Sequence, residues 1–147
     1  MRLTQHTDFS IRVLMLLAVQ THRLTTIKEI STAYGISRNH LMKVAQELAR
    51  AGYVESVRGQ GGGLRLKVPP EDLRLGDIVK AMEPDLGLVE CLRPANKCVI
   101  TPACTLPPIL QESLRLFIDN LNRYSLADLI PDRTEPQLLA LLKLKAG

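Results

Sequence analysis

A single glycine divides the helical pattern of residues 26–51, and this division restricts the fold more than any other feature of the chain. Thr26 can cap a helix over residues 27–34, and Gly35 supplies the left-handed conformation that ends it. Ser37 can cap a second helix over residues 38–51, whose inward face comprises Leu41, Val44, Ala45 and Leu48. Two helices joined by a three-residue glycine turn are typical of a helix-turn-helix.

A glycine-rich run follows the second helix. The stretch from Gly59 to Gly63 contains four glycines in five residues, which a helix interior would not tolerate. Short β-prone stretches flank it at residues 53–58 and 64–68, so we expect a β-hairpin with a glycine tip. That hairpin would be the wing of a winged helix-turn-helix.

Apolar spacing and prolines organise the rest of the chain. Apolar residues at helical spacing predict a first helix over residues 3–20 and a short helix over residues 75–82. Residues 84–108 hold five of the nine prolines and all three cysteines, which predicts a loop that needs something to order it. Beyond Thr105, apolar residues alternate at spacings of four and three residues, which predicts the seam of a dimerisation helix. Its members are Leu110, Leu114, Phe117, Leu121 and Tyr124. No role is assigned to the apolar run at residues 138–144.

These elements predict a mainly α fold with a small β-hairpin, in which a winged helix-turn-helix is joined to a long dimerisation helix. The expected divisions are a DNA-binding domain at residues 1–83, a cysteine-rich loop at 84–108, and the dimerisation helix with its tail at 109–147. The longest apolar run, residues 13–19, is too short to span a bilayer, and Asp8 and Arg12 interrupt a signal-peptide pattern. We therefore expect no membrane association and a cytoplasmic location, where thiols stay reduced.

Charge is unevenly distributed along the chain. Residues 1–67 contain ten Lys and Arg against four Asp and Glu, whereas residues 68–147 contain nine against eleven. The second helix of a helix-turn-helix enters the major groove, where Arg pairs well with guanine and Asn with adenine. The candidate DNA-contacting residues are Arg38, Asn39, His40 and Lys43 on this helix, and Arg58, Gln60, Arg65 and Lys67 on the wing. Each one alone could equally be a solvated charge; the glycine turn, basic face and wing together favour double-stranded DNA.

The three cysteines, Cys91, Cys98 and Cys104, lie within fourteen residues of one another. Their odd number excludes a disulfide framework that uses all three, and thiolates grouped this closely favour a metal or iron–sulfur site. The spacings C-x6-C and C-x5-C are wider than those of a typical structural zinc site. Buried hydrophobic cysteines remain an alternative.

The chain resembles the Rrf2 family of winged-helix repressors over nearly all its length, and within it the nitric-oxide-sensing members. The resemblance depends on residues 3–4, 7–9, 34–40, 51–54, 57–59, 62–63, 76–79, 100–104 and 124–129. It implies a homodimeric repressor with one cluster per subunit, [4Fe-4S] with [2Fe-2S] as the alternative, bound by the three cysteines. Nitric oxide would be the signal, and a DNA operator the partner.

The resemblance also implies the fourth ligand. Pro107 stands where the family's iron–sulfur-biogenesis regulators place a His, whereas the nitric-oxide-sensing type uses an N-terminal Asp of the other subunit, which corresponds to Asp8. A carboxylate is a harder and weaker ligand for cluster iron than a thiolate, and Arg12, one turn away, could hold it. From the residues alone Asp8 could instead be an acid favoured by the helix dipole, and His6 is the nearest rival ligand.

Three alternatives remain open. The cysteines of a repressor with this fold could act by thiol–disulfide chemistry or bind zinc. In a different class, the chain could be an iron–sulfur electron carrier. We find no substrate-pocket constellation, nucleotide loop or Ser/His/Asp arrangement, so we expect no enzymatic activity.

Overall fold

In the computed structural model, residues 2–144 form six α-helices and one two-stranded antiparallel sheet. The helices are α1 (Gln5–Val19), α2 (Ile27–Tyr34), α3 (Arg38–Arg50), α4 (Leu75–Met82), α5 (Leu106–Leu121) and α6 (Glu135–Leu141). The strands are β1 (Val54–Val57) and β2 (Gly63–Leu66). The expectation of a mainly α fold with a small hairpin is confirmed.

Local hydrogen bonds define the helix-turn-helix. The Thr26 hydroxyl accepts from the Glu29 N–H at 3.2 Å, and the Glu29 carboxylate accepts from the Thr26 N–H at 2.7 Å, which forms a capping box. Gly35 adopts a φ of 66° and ends α2, and the Ser37 hydroxyl accepts from the His40 N–H at 3.3 Å to begin α3. These caps fix the direction in which the second helix leaves the turn.

One hydrophobic core joins the three N-terminal helices to the wing. Its fully buried side chains include Val13, Leu14, Leu16 and Leu17 of α1, Ile30 of α2, Leu41, Val44 and Leu48 of α3, and Leu64 of β2. The wing is attached by a backbone bridge in which Thr25 and Leu64 exchange hydrogen bonds of 2.8 and 2.9 Å. Gly63 makes this approach possible, because a Cβ there would lie 2.8 Å from the Thr25 carbonyl oxygen. The wing therefore sits at a fixed place beside α3.

The helices α4 and α5 approach each other closely at Gly76. A Cβ at this position would lie 2.5 Å from the Ile118 carbonyl oxygen. The Asn122 side chain accepts from the Asp77 N–H at 2.9 Å and so satisfies a free donor at the start of α4. After α5 the chain returns to the core, where Leu126 is fully buried. The run at residues 138–144 also packs there, through Leu139, Leu142 and Leu144.

Helix α5 ends before the last residue of the expected dimer seam, and most of the other members contact their own chain. Because α5 ends at Leu121, Tyr124 lies beyond the helix, where its carbonyl accepts from the Leu75 N–H at 3.0 Å. Three other members, Leu110, Leu114 and Phe117, are half-buried and line a groove of about 660 Å³ with residues 83–93 of the same chain. A second apolar set on α5 is exposed and comprises Leu106, Ile109 and Leu116.

None of the helices within residues 2–144 is both long enough and apolar enough to cross a membrane.

Candidate nucleic-acid interface and cysteine segment

The first turns of α3 present the predicted DNA-contacting side chains to solvent. Arg38, Asn39, His40 and Lys43 are all exposed, while Leu41, Val44, Ala45 and Leu48 hold the opposite face in the core. Within residues 2–144 neither Arg38 nor Lys43 takes part in an ion pair. Their charges are therefore available to a phosphate or to a base edge.

A groove of about 790 Å³ separates α3 from the wing, and its walls include residues that the sequence pattern did not indicate. Asn39 and Arg58 line it, together with Met42 and Ser56. Met42 is 59% exposed although it is apolar, and an apolar side chain on a recognition helix can contact a thymine methyl group. The signal that could have found it is its position three residues after Asn39, on the same outward stripe of the helix.

The wing residues differ in how free their charges are. In the hairpin register Glu55 lies opposite Arg65, and the guanidinium and carboxylate lie 2.8 Å apart. The hydrogen bond and charge of Arg65 hold the pKa of Glu55 below its usual value. Arg58, Gln60 and Lys67 are exposed, and no salt bridge within residues 2–144 involves Arg58 or Lys67. Of the predicted wing cations, Arg65 is therefore the least available to DNA.

Asp8 and Arg12 form the pair that their spacing suggested. The guanidinium donates to both carboxylate oxygens, at 3.2 Å from Nε to Oδ1 and 2.8 Å from Nη2 to Oδ2. The Asp8 side chain remains 48% exposed. On the other side the Tyr34 hydroxyl donates to the Arg12 carbonyl at 2.9 Å, and burial raises the pKa of Tyr34 to about 12. Asp8 is thus held in one orientation while its carboxylate stays accessible.

The three cysteines lie in the segment between α4 and α5. Cys91 is within the 3₁₀ turn Glu90–Leu92, and Cys104 directly follows the turn Thr101–Ala103. All three thiols are free and half-buried. Within residues 2–144 no three Cys, His, Asp or Glu side chains are arranged to hold a metal ion. The single chain therefore does not bring the three cysteines and Asp8 together as a ligand set.

Local hydrogen bonds order this segment. The Asn96 side chain accepts from the Cys98 N–H at 2.9 Å and donates to the Thr101 hydroxyl at 3.0 Å, which in turn donates to the Cys98 carbonyl at 2.9 Å. No residue from Glu83 to Phe117 is buried. The three cysteines therefore lie outside the core, in a stretch that few buried contacts anchor.

A winged helix-turn-helix with an exposed, basic recognition helix is typical of DNA-binding transcription regulators. The chain belongs to the Rrf2 family, whose sequence profile, described as iron-dependent transcriptional regulator, matches residues 3–132. The chain is therefore a transcription regulator and not an enzyme.

Two relatives agree with this assignment, and one solved structure shares the fold. The chain is 45% identical to the HTH-type transcriptional regulator NsrR of Bacillus subtilis (strain 168), over 99% of both chains. It is 42% identical to the NsrR regulator of Shouchella clausii (strain KSM-K16), over 99% of this chain and 97% of that one. The solved structure of T. potens IscR superposes with a TM-score of 0.70 at 24% identity, covering 93% of this chain and 91% of that chain, and supports the fold.

Proposed function

We propose that this protein is a homodimeric repressor whose operator binding is gated by an iron–sulfur cluster that reacts with nitric oxide. The observation that carries the proposal is that all three cysteines are free and lie on one segment outside the core of a DNA-binding domain. The 42–45% identity to regulators named NsrR supports the same conclusion. A regulator that binds a chromosomal operator acts in the cytoplasm.

The donor set fits a cluster rather than a hard cation. Cys91, Cys98 and Cys104 would supply three soft thiolates, and Asp8 of the partner subunit would supply the fourth ligand. We propose one [4Fe-4S] cluster per subunit, with [2Fe-2S] as the alternative. When bound, the cluster supplies iron that nitric oxide can attack.

Two features of Asp8 support a ligand role toward a second chain. Its carboxylate is accessible at the surface of α1, and Arg12 holds both oxygens in a fixed orientation. Within residues 2–144 of one chain, no group of three potential ligands includes it. A ligand that joins two subunits would make their relative position depend on the state of the cysteine segment.

Spacing between two recognition helices then controls operator binding. A dimer reads two half-sites, and an error in their separation abolishes tight binding. We propose α5 as the dimerisation helix, and its exposed residues Ile109 and Leu116 are consistent with this role.

The test is an anaerobic titration of the purified protein with nitric oxide. Absorbance near 400 nm and fluorescence anisotropy of a labelled duplex are recorded on the same samples, with an operator first selected from random duplexes. We expect bleaching and DNA release in parallel. A colourless protein that still binds DNA would favour the zinc or thiol alternative, and a coloured protein without sequence-specific DNA binding would favour an electron carrier.

Ligand substitutions sharpen this test. Replacing any one cysteine by Ala removes a thiolate and should give a folded, colourless protein that no longer binds the operator tightly. Asp8→Ala should do less, because water or another weak donor can replace a hard ligand, so the cluster should form but decay faster. Equal loss in all four variants would contradict the assignment of Asp8.

A further inference from the structure

Three consecutive residues in the first turn of α1 make three different connections. Thr7 bonds to the end of α4, Asp8 is the proposed cluster ligand, and Phe9 contacts the recognition helix. These residues share one helical turn, and the next residue, Ser10, donates to the His6 carbonyl at 2.7 Å. A displacement of any one of them therefore displaces the other two.

The connection to the cysteine segment is a hydrogen-bonded carboxylate. Glu83 is the residue at which α4 ends, and one oxygen of its carboxylate accepts from three donors of the N-terminal turn. These are the Thr7 hydroxyl at 2.6 Å, the Thr4 N–H at 3.0 Å and the Thr4 hydroxyl at 3.2 Å. Thr7 is fully buried, so this carboxylate is held against the turn. Glu83 is also where the stretch without buried residues begins.

The connection to DNA is an aromatic contact. The ring of Phe9 lies 6.2 Å from the imidazole of His40, centroid to centroid, with the planes inclined at 37°. His40 is in the first turn of α3, where its N–H donates to the Ser37 cap. The two rings border a cavity of about 280 Å³ whose walls also include Lys43. The ring of Phe9 therefore supports the side of the recognition helix that carries two of the predicted DNA-contacting residues.

We infer that Phe9 is a positioning residue that couples the N-terminal turn of α1 to the recognition helix through His40. The inference rests on the proposed function and specifies how the cysteine segment communicates with DNA. A rearrangement that moves Glu83 or Asp8 shifts the turn, and Phe9 transmits that shift to His40. This route lies within one chain and acts in addition to any change in the separation of the two subunits.

A metal-free experiment tests the contact itself. The chain has only three histidines, so the imidazole signals of the apo-protein can be assigned by NMR. Glu83→Gln weakens the hydrogen bonds to the turn and should shift the signal of His40, while that of His22, which lies beyond the far end of α1, stays unchanged. In a Phe9→Leu background the same Glu83→Gln change should no longer move the His40 signal. An unmoved His40 signal in Glu83→Gln, or an equal shift in both backgrounds, would overturn the inference.

A second experiment measures coupling in the holo-protein. The readout is the ratio of operator Kd after and before nitric oxide treatment, with cluster absorbance as the control for assembly. Phe9→Leu should bring this ratio closer to one at unchanged absorbance, and Phe9→Tyr should return it to the wild-type value. Ile11→Val changes a half-buried core contact on the same helix and should give the wild-type ratio. Thermal melting of each apo-variant identifies folding defects.

The outcomes distinguish failure of the proposed function from failure of the coupling through Phe9. If the wild-type protein does not release DNA on nitric oxide treatment, the proposed function fails, and the NMR arm alone decides the role of Phe9. If the wild-type protein responds and Phe9→Leu responds equally, the coupling through Phe9 is refuted and the proposed function stands.

Discussion

Replacing Arg38 by Ala is the most direct test of the DNA-reading surface. Arg38 is the first residue of α3, is exposed, and forms no ion pair within residues 2–144. Loss of a bidentate contact to guanine costs about 1–3 kcal/mol for each half-site. Two half-sites in a dimer double this to roughly 2–6 kcal/mol, and a tenfold change in Kd corresponds to about 1.4 kcal/mol.

Arg50→Ala is the matched control. It removes the same charge from the same helix, but it lies twelve residues further on, which is about 18 Å along the axis. Its side chain is 68% exposed, and the guanidinium donates to both oxygens of Glu47, at 2.9 and 3.0 Å. We therefore expect Arg50→Ala to change operator affinity far less than Arg38→Ala.

Anisotropy titrations at several salt concentrations measure both affinity and its salt dependence. A base-reading role for Arg38 predicts that the variant loses discrimination between the selected operator and operators with single base changes. A contact with phosphate alone predicts uniform weakening and a salt slope reduced by about 0.9 per lost contact. Equal losses for Arg38→Ala and Arg50→Ala would refute the placement of α3 in the groove.

Three further predictions follow from the packing and the charges. Arg65 is paired with Glu55, so Glu55→Gln should leave the Arg65 charge unpaired and strengthen binding to all duplexes. Arg65→Ala should leave the Glu55 charge unpaired and weaken binding uniformly. Anisotropy on unrelated sequences measures both effects. Gly76→Ala should lower the free energy of unfolding of the apo-protein in urea by about 1–3 kcal/mol, because the added Cβ meets the Ile118 carbonyl. The control Ala81→Gly, on the exposed side of α4, should lower it by only about 1 kcal/mol. Hydrogen bonds from the Ser125 N–H and hydroxyl hold the pKa of Asp128 below its usual value. The ionised carboxylate therefore contributes to the free energy of unfolding at neutral pH, and this contribution is lost as pH falls through the lowered pKa. Ser125→Ala should make the urea midpoint less sensitive to acid than Ser113→Ala does.

Sequence reasoning predicted the elements whose ends depend on local chemistry. The bounds of α2 and α4 agree with the predicted ranges, and Thr26, Gly35 and Ser37 act as the expected caps. Each of these features depends on residues within four positions of one another. The pairing of Asp8 with Arg12 was predictable for the same reason, since residues four apart meet on one helix face.

Features that depend on distant residues were not predictable in this way. The end of α5 at Leu121 depends on its contact with α4, where Asn122 bonds to Asp77 across 45 positions. The neutralisation of Arg65 depends on the hairpin register that places Glu55 opposite. The contacts of Glu83 with Thr7 and of Phe9 with His40 likewise need the tertiary arrangement.

The cysteine segment is enclosed by two stretches that are well anchored. Before the segment, residues 73–82 contribute five buried apolar side chains. After it, Ile118 and Leu126 are buried. Residues 83–117, between them, contribute no buried side chain. The ends of the segment are therefore fixed by α4 and α5, whereas its interior can rearrange. A change at the thiols can reach the DNA-binding domain of its own chain only where that interior meets anchored structure. Glu83 is such a point, because its carboxylate bonds to the buried Thr7. We therefore expect cysteine substitutions to leave the unfolding free energy of the apo-protein nearly unchanged, and to act on DNA binding through the turn that carries Thr7, Asp8 and Phe9.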